Sequence, residues 1–165
     1  MRFSNLTALY LLASFSVLTG CAGAPARPTP TTTPSPSVPI QRLDRSEHAA
    51  LIAQEQIGVN YLYGGMSPAT GFDCSGLVYY SYTRAGVSVP RTTGQLWGAA
   101  KAVEQHDLRA GDLLFFSIEG KMSHVGMYLG ERRFVHAPQS GRSVSVASLD
   151  APFYKAALIR AGRLY

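Results

Sequence analysis

The sequence predicts an α+β domain in which helices come first and an antiparallel sheet follows. Up to about Trp97 the apolar residues recur at helical spacing, in runs closed by glycine or opened by a capping residue. From Leu113 onward the runs have strand length and are separated by short turns. Helices and strands that segregate along a chain in this way point to α+β rather than to alternating βαβ units. The chain has 165 residues, 46% of them hydrophobic, which is enough for one moderate core, and no internal repeat divides it.

Two segments precede that domain. Residues 1–20 read as a secretory leader. Arg2 supplies a positive start, and the apolar stretch Leu6 to Leu18 is too short to span a bilayer but suits a signal core. It ends in Leu18-Thr19-Gly20-Cys21, which resembles a bacterial lipobox. The expectation is that Cys21 becomes the lipidated (palmitate-bearing) N-terminus of an exported protein anchored to the cell envelope. Ala22, in place of an aspartate, points to an outer membrane facing the periplasm where the host has two membranes. An ordinary cleaved signal and a Cys21–Cys74 disulfide are the competing readings. Residues 21–40 are dominated by Pro, Thr, Ser and Ala, and lack the apolar side chains that offset conformational entropy, so a disordered tether is expected.

The folded domain is expected over residues 41–165. Asp44-Arg45-Ser46-Glu47 has the form of a capping box, opening a helix with Ala49, Ala50, Ile52, Ala53 and Ile57 and closing at Gly58. A glycine-bearing loop, Gly71-Phe72-Asp73, leads into a second helix that starts near Cys74, continues through Leu77, Val78, Tyr80 and Tyr82, and ends near Ala85 and Gly86. Pro90-Arg91-Thr92-Thr93 caps a short helix with Gln95, Leu96 and Trp97. Strands are then predicted at Leu113–Phe116, Ser123–Leu129, Arg133–Ala137, Ser143–Ala147 and Ala157–Arg160.

The chemistry is concentrated around Cys74. A cysteine in the first helical turn behind an aspartate N-cap meets the positive end of the helix, which favours thiolate. Two histidines sit on neighbouring predicted strands. If Leu129 faces Arg133 across the loop Gly130-Glu131-Arg132, His124 lies opposite Pro138 and diagonal to His136, both rings on one face. A slip of one residue would separate them. Nucleophile, base and orienter are then Cys74, His124 and His136. The same three types could begin a zinc site, but that needs a fourth ligand or an open water position, and the paired cysteines of structural zinc sites are absent; neither metal nor cofactor is expected. His48 and His106 are expected at the surface. A net charge of +5, without a basic run, argues against nucleic acid and is compatible with an anionic wall polymer.

Six motifs stand in a fixed order. They are Tyr61-Leu62-Tyr63-Gly64-Gly65, Gly71-Phe72-Asp73-Cys74-Ser75-Gly76-Leu77-Val78, Pro90-Arg91-Thr92, Gly111-Asp112-Leu113-Leu114-Phe115-Phe116, His124-Val125-Gly126-Met127-Tyr128 and Phe134-Val135-His136-Ala137-Pro138. Together they resemble the NlpC family of papain-like cell-wall endopeptidases, in its lipoprotein branch, from Gly58 to Leu164. The resemblance implies a circularly permuted papain-like fold, with the nucleophile's helix packed on a central antiparallel sheet. It implies hydrolysis of an amide in peptidoglycan stem peptides, commonly between D-glutamate and a diamino acid, or at a cross-link. By the same resemblance Tyr61 and the Cys74 N–H assist the oxyanion, while Asp73 and Ser75 hold the amino end of the stem. Asn60 and Leu62 depart from the commoner pattern of the family. A wall-binding lipoprotein without turnover, and an amidase or acyltransferase on a related fold, are the alternatives.

Overall fold

The computed structural model describes residues 44–165; the leader, Cys21 and the tether lie outside the described residues. Helix α1 (Arg45–Gln54) buries Ala49, Ala50 and Ala53. Asp44 is its N-cap, but its side chain makes no capping bond, so the expected box with Glu47 does not form. The helix stops before Ile57, which is half exposed, and Gly58 follows in a left-handed conformation (φ 93°).

A two-stranded ribbon, β1 (Met66–Ser67) and β2 (Gly71–Phe72), leads into helix α2 (Cys74–Arg84). The Asp73 side chain accepts from Gly76 N–H at 2.6 Å, and Leu77, Val78 and Tyr82 lie in the core. At the other end the Gly86 N–H donates to Thr83 and the Val87 N–H to Tyr82, a Schellman arrangement that needs the positive φ of Gly86. Helix α3 (Thr93–Ala99) begins with a formed capping box between Thr92 and Gln95.

The sheet has six strands, β3 (Lys101–Val103), β4 (Leu113–Ile118), β5 (Lys121–Gly130), β6 (Arg133–His136), β7 (Ser145–Ser148) and β8 (Leu158–Arg163). Their order is β3-β8-β4-β5-β6-β7, every pair antiparallel. Helix α4 (Pro152–Ala157) precedes β8. The five strands β4 to β8 were legible from sequence, within a few residues at their ends; β1, β2, β3 and α4 were not.

Alternation divides the sheet between two cores. Leu113, Phe115, Val125, Met127 and Val135 pack with α1 and α2, whereas Leu114, Phe116, Tyr128 and Phe134 pack with Leu149 and Ala157. The β5–β6 turn is two residues long, with Glu131 and Arg132 at φ 50° and 55°, the mirror-image turn that matches strand twist. Gly130 therefore faces Arg133 instead of Leu129 doing so. A bulge between Tyr128 and Gly130 restores the expected register beyond it, with Met127 opposite Val135.

Two glycines mark where elements touch. A side chain at Gly126 would enter the Phe134 ring, and one at Gly76 would overlap the Gly65 carbonyl oxygen. The second contact docks α2 against the loop that carries Tyr61. Gly76→Ala is expected to destabilise the domain by about 1–3 kcal/mol. Denaturant unfolding of the variant measures this, and an unchanged midpoint would show that the loop is not held by that contact.

Candidate active site

Cys74 is the first residue of α2, so its backbone N–H has no acceptor within the helix. Its side chain lines a cleft of about 550 Å³ shared with Tyr61, Tyr63, Asp73, Thr93 and Ser123. Sγ lies 3.7 Å from Thr93 Oγ1 and 3.9 Å from the Ser123 carbonyl oxygen. The Val125 N–H also faces the sulfur. The thiol is thus laid against the two peptides that flank His124.

Its charge state follows from a competition. Burial raises the thiol's pKa above the usual range and the Asp73 carboxylate raises it further. Thr93 and the N–H groups of Val125 and Ser75 pull it down without prevailing. The helix N-terminus expected to favour thiolate is outweighed by desolvation. The resting group is a thiol.

Asp73 organises the mouth of the cleft. Besides capping α2, its carboxylate accepts from the Gly64 N–H at 3.0 Å and the Ser75 hydroxyl at 3.2 Å. Arg91 grips both its oxygens, at 2.9 and 3.0 Å, and also donates to Ser75 Oγ and the Gly65 carbonyl. The pair is largely removed from water, with Asp73 13% and Arg91 27% exposed. The expected contact with a stem peptide's amino end would have to form at a carboxylate already carrying four partners. Arg91, quoted above within a motif but given no role, is one residue that sequence reasoning missed; the pairing of a guanidinium with an N-cap carboxylate 18 residues away is invisible without the fold.

Tyr61 reaches the same cleft from a loop fixed by an isolated bridge to Phe72 and by its N–H donating to Arg142. Burial first, then Cys74 and Asp73, raise its phenol's pKa, so it remains a hydroxyl donor.

The histidines meet as the register requires. His124 Nε2 lies 2.8 Å from His136 Nδ1, with the rings edge to face. Both are nearly inaccessible and packed on Phe116 and Phe134. Burial lowers the His124 pKa to about 4, and burial together with His124 lowers that of His136 to about 3. Their rings line a depression of about 430 Å³ with Tyr154 and Arg142, separate from the thiol's cleft. Thiol and imidazole therefore adjoin through the β5 backbone without a hydrogen bond between Sγ and His124. His48 and His106 are exposed. Among the described residues no three His, Cys, Asp or Glu side chains converge as metal ligands.

The model of the NlpC/P60 family matches residues 58–163. A murein DD-endopeptidase of Escherichia coli, MepH, is 38% identical over 115 residues, covering 67% of this chain and 42% of that protein. A gamma-D-glutamyl-L-lysine dipeptidyl-peptidase of Bacillus subtilis is 39% identical over 112 residues, covering 66% of this chain and 38% of that one. The chain thus spans less than half the length of these relatives. A crystal structure of an NlpC/P60 family protein from Bacillus cereus superposes with a TM-score of 0.67 at 32% identity, over 72% of this chain and 40% of the other. The papain-like α+β fold fits these neighbours.

The histidine pair makes stability depend on pH. Both groups titrate near 6.5 when unfolded and near 4 or 3 when folded, so below about 6.5 the unfolded chain binds more protons. The thermal midpoint should fall as the pH drops from about 6.5 toward about 4, and the fall should flatten in a His124→Gln, His136→Asn double variant. Scanning fluorimetry across that range reads it; equal slopes in the two proteins would contradict the burial account.

Proposed function

The chain belongs to the NlpC/P60 family, and from that premise we propose that it is a cysteine endopeptidase acting on amides in peptidoglycan stem peptides. The observation that carries the reading is a thiol at a helix N-terminus, open to a cleft and lying against the peptides on either side of a buried, paired histidine. A binding module has no use for that arrangement.

The chemistry follows from the resting charges. A neutral thiol needs a base at the moment of attack, and an imidazole titrating near 4 is neutral over most of the working range. As substrate fills the cleft and excludes water, His124 takes the Sγ proton while sulfur bonds to the scissile carbonyl carbon. Apo catalytic contacts are commonly longer than those of the complex, which accommodates the missing hydrogen bond between Cys74 and His124. The developing oxyanion would meet the Cys74 N–H and the Tyr61 hydroxyl. His124 then returns the proton to the leaving amine, and water, deprotonated by the same imidazole, releases the acyl group. His136 steadies His124 throughout. The two relatives are named for different bonds, so the D-glutamyl–diamino acid bond and a cross-link bond are both candidates.

Cys74→Ser should lower turnover by roughly 10³-fold or more while leaving the fold intact. Mass spectrometry of purified peptidoglycan after digestion reads both activity and bond. Shortened or uncrosslinked stems support the endopeptidase, whereas whole stems released from sugar mean an amidase. Unchanged muropeptides with the wild type would end the enzymatic reading.

We also propose export and anchoring of the chain by lipidation at Cys21, supported by Leu18-Thr19-Gly20 before it. Radiolabelled palmitate should enter the wild type and be lost in Cys21→Ala; equal labelling of both would refute the anchor.

A further inference from the structure

The hydrogen-bonded chain that begins at His124 does not end at His136. Nε2 of His136 lies 3.4 Å from the hydroxyl of Tyr154 on α4, and the two rings stand edge to face, 5.3 Å apart at 89°. Phe134 and Phe116 hold the tyrosine ring from two further sides, with centroids at 5.0 and 5.6 Å. Nothing in the sequence reading singled out Tyr154.

Proton counting links that hydroxyl to the base. Both imidazoles are neutral, so each carries one ring proton, and one of the two protons occupies the 2.8 Å contact. If His124 donates from Nε2, His136 accepts at Nδ1 and must carry its own proton on Nε2. The Tyr154 oxygen then accepts that proton, and Nδ1 of His124 is left bare. If instead His136 donates from Nδ1, its Nε2 is bare, Tyr154 donates to it, and Nδ1 of His124 is protonated. Only the first arrangement leaves His124 able to take a proton from a thiol. That arrangement also puts an N–H at the buried edge of His136, where lack of an acceptor would be costly. The second has no such need.

We infer that Tyr154 is a positioning residue whose hydroxyl accepts the Nε2–H of His136 and thereby holds His124 in the tautomer with Nδ1 free to act as base. The inference rests on the thiol-peptidase reading for its consequence, but not for its geometry. Tyr154 touches no reacting atom. It acts through two imidazoles, as the outer partner of a histidine selects which nitrogen is bare.

Tyr154→Phe removes the oxygen and keeps the ring that Phe116, Phe134 and His136 pack against. Two readouts apply at near-neutral pH. Nitrogen-15 correlation spectra of the imidazoles should show both histidines of the wild type as Nε2–H tautomers, with a shift toward Nδ1–H in the variant. Turnover on peptidoglycan peptides should fall between roughly tenfold and a hundredfold in kcat, with KM nearly unchanged. An Nδ1–H signature for His136 in the wild type overturns the inference, and so do identical tautomers in the two proteins. A tautomer shift in a protein whose wild type cleaves no wall peptide upholds the proton chain and removes the peptidase reading instead.

Discussion

The Asp73 carboxylate is the constraint on which the site depends. One side chain accepts from the first turn of α2, from the Gly64 N–H in the tyrosine loop and from Arg91 at the entrance to α3. Each of those segments contributes a residue to the cleft: Cys74 from the helix, Tyr61 from the loop and Thr93 from α3. Partly buried charge is tolerable only when paired and fully hydrogen-bonded, and removal of one partner leaves the other desolvated. Asp73 and Arg91 therefore work as a geometric device more than a source of net stability. The pair fixes three chain segments at one point without occupying the space beside the sulfur.

The same placement decides the electrostatics. A cysteine at a helix N-terminus is usually expected to ionise easily, and the dipole contributes up to about 1 kcal/mol in that direction. Here the thiol is mostly buried at the floor of its cleft, and the charge that acts on it is a carboxylate of the wrong sign. Desolvation disfavours thiolate by more than the helix end favours it. The imidazoles respond to burial in the opposite direction, since their charged form is the one disfavoured. Thiol and imidazole are consequently both uncharged at rest, and an ion pair between them forms only along the reaction.

What the sequence disclosed, and what it withheld, follows from the range of the interactions involved. The start of α2, its end at Gly86, the cap before α3 and the register of β5 against β6 are set by residues within a few positions of one another. All were legible. The hairpin was read with the wrong turn length, yet the bulge beside Tyr128 compensated, because burial of Val125, Met127 and Val135 on one face admits a single register. The unreadable parts are those made by distant partners. Strand β3 has three residues and exists through its pairing with β8, and α4 has six residues with little pattern of their own. The capping box at Asp44 had the correct letters and did not form, so the letters alone do not make the bond. Arg91 and Tyr154 belong to the same class, chemically ordinary in the sequence and defined by contacts 18 residues away in each case.

The alternation of β5 leads to a division of labour. Odd positions from Val125 bind the sheet to α2, so the nucleophile's helix is held by aliphatic packing. Even positions present His124 and, across the hairpin, His136 to the opposite core, among Phe116, Phe134 and Tyr154. A base placed among the helix-facing side chains would have to share space with the residues that anchor the nucleophile. Placed behind the strand, it is buried, kept neutral and oriented by its own partners, while the sulfur lies against the Ser123 carbonyl and the Val125 N–H on either side of it. Nucleophile and base are therefore tuned by separate cores, and a single strand keeps them in register.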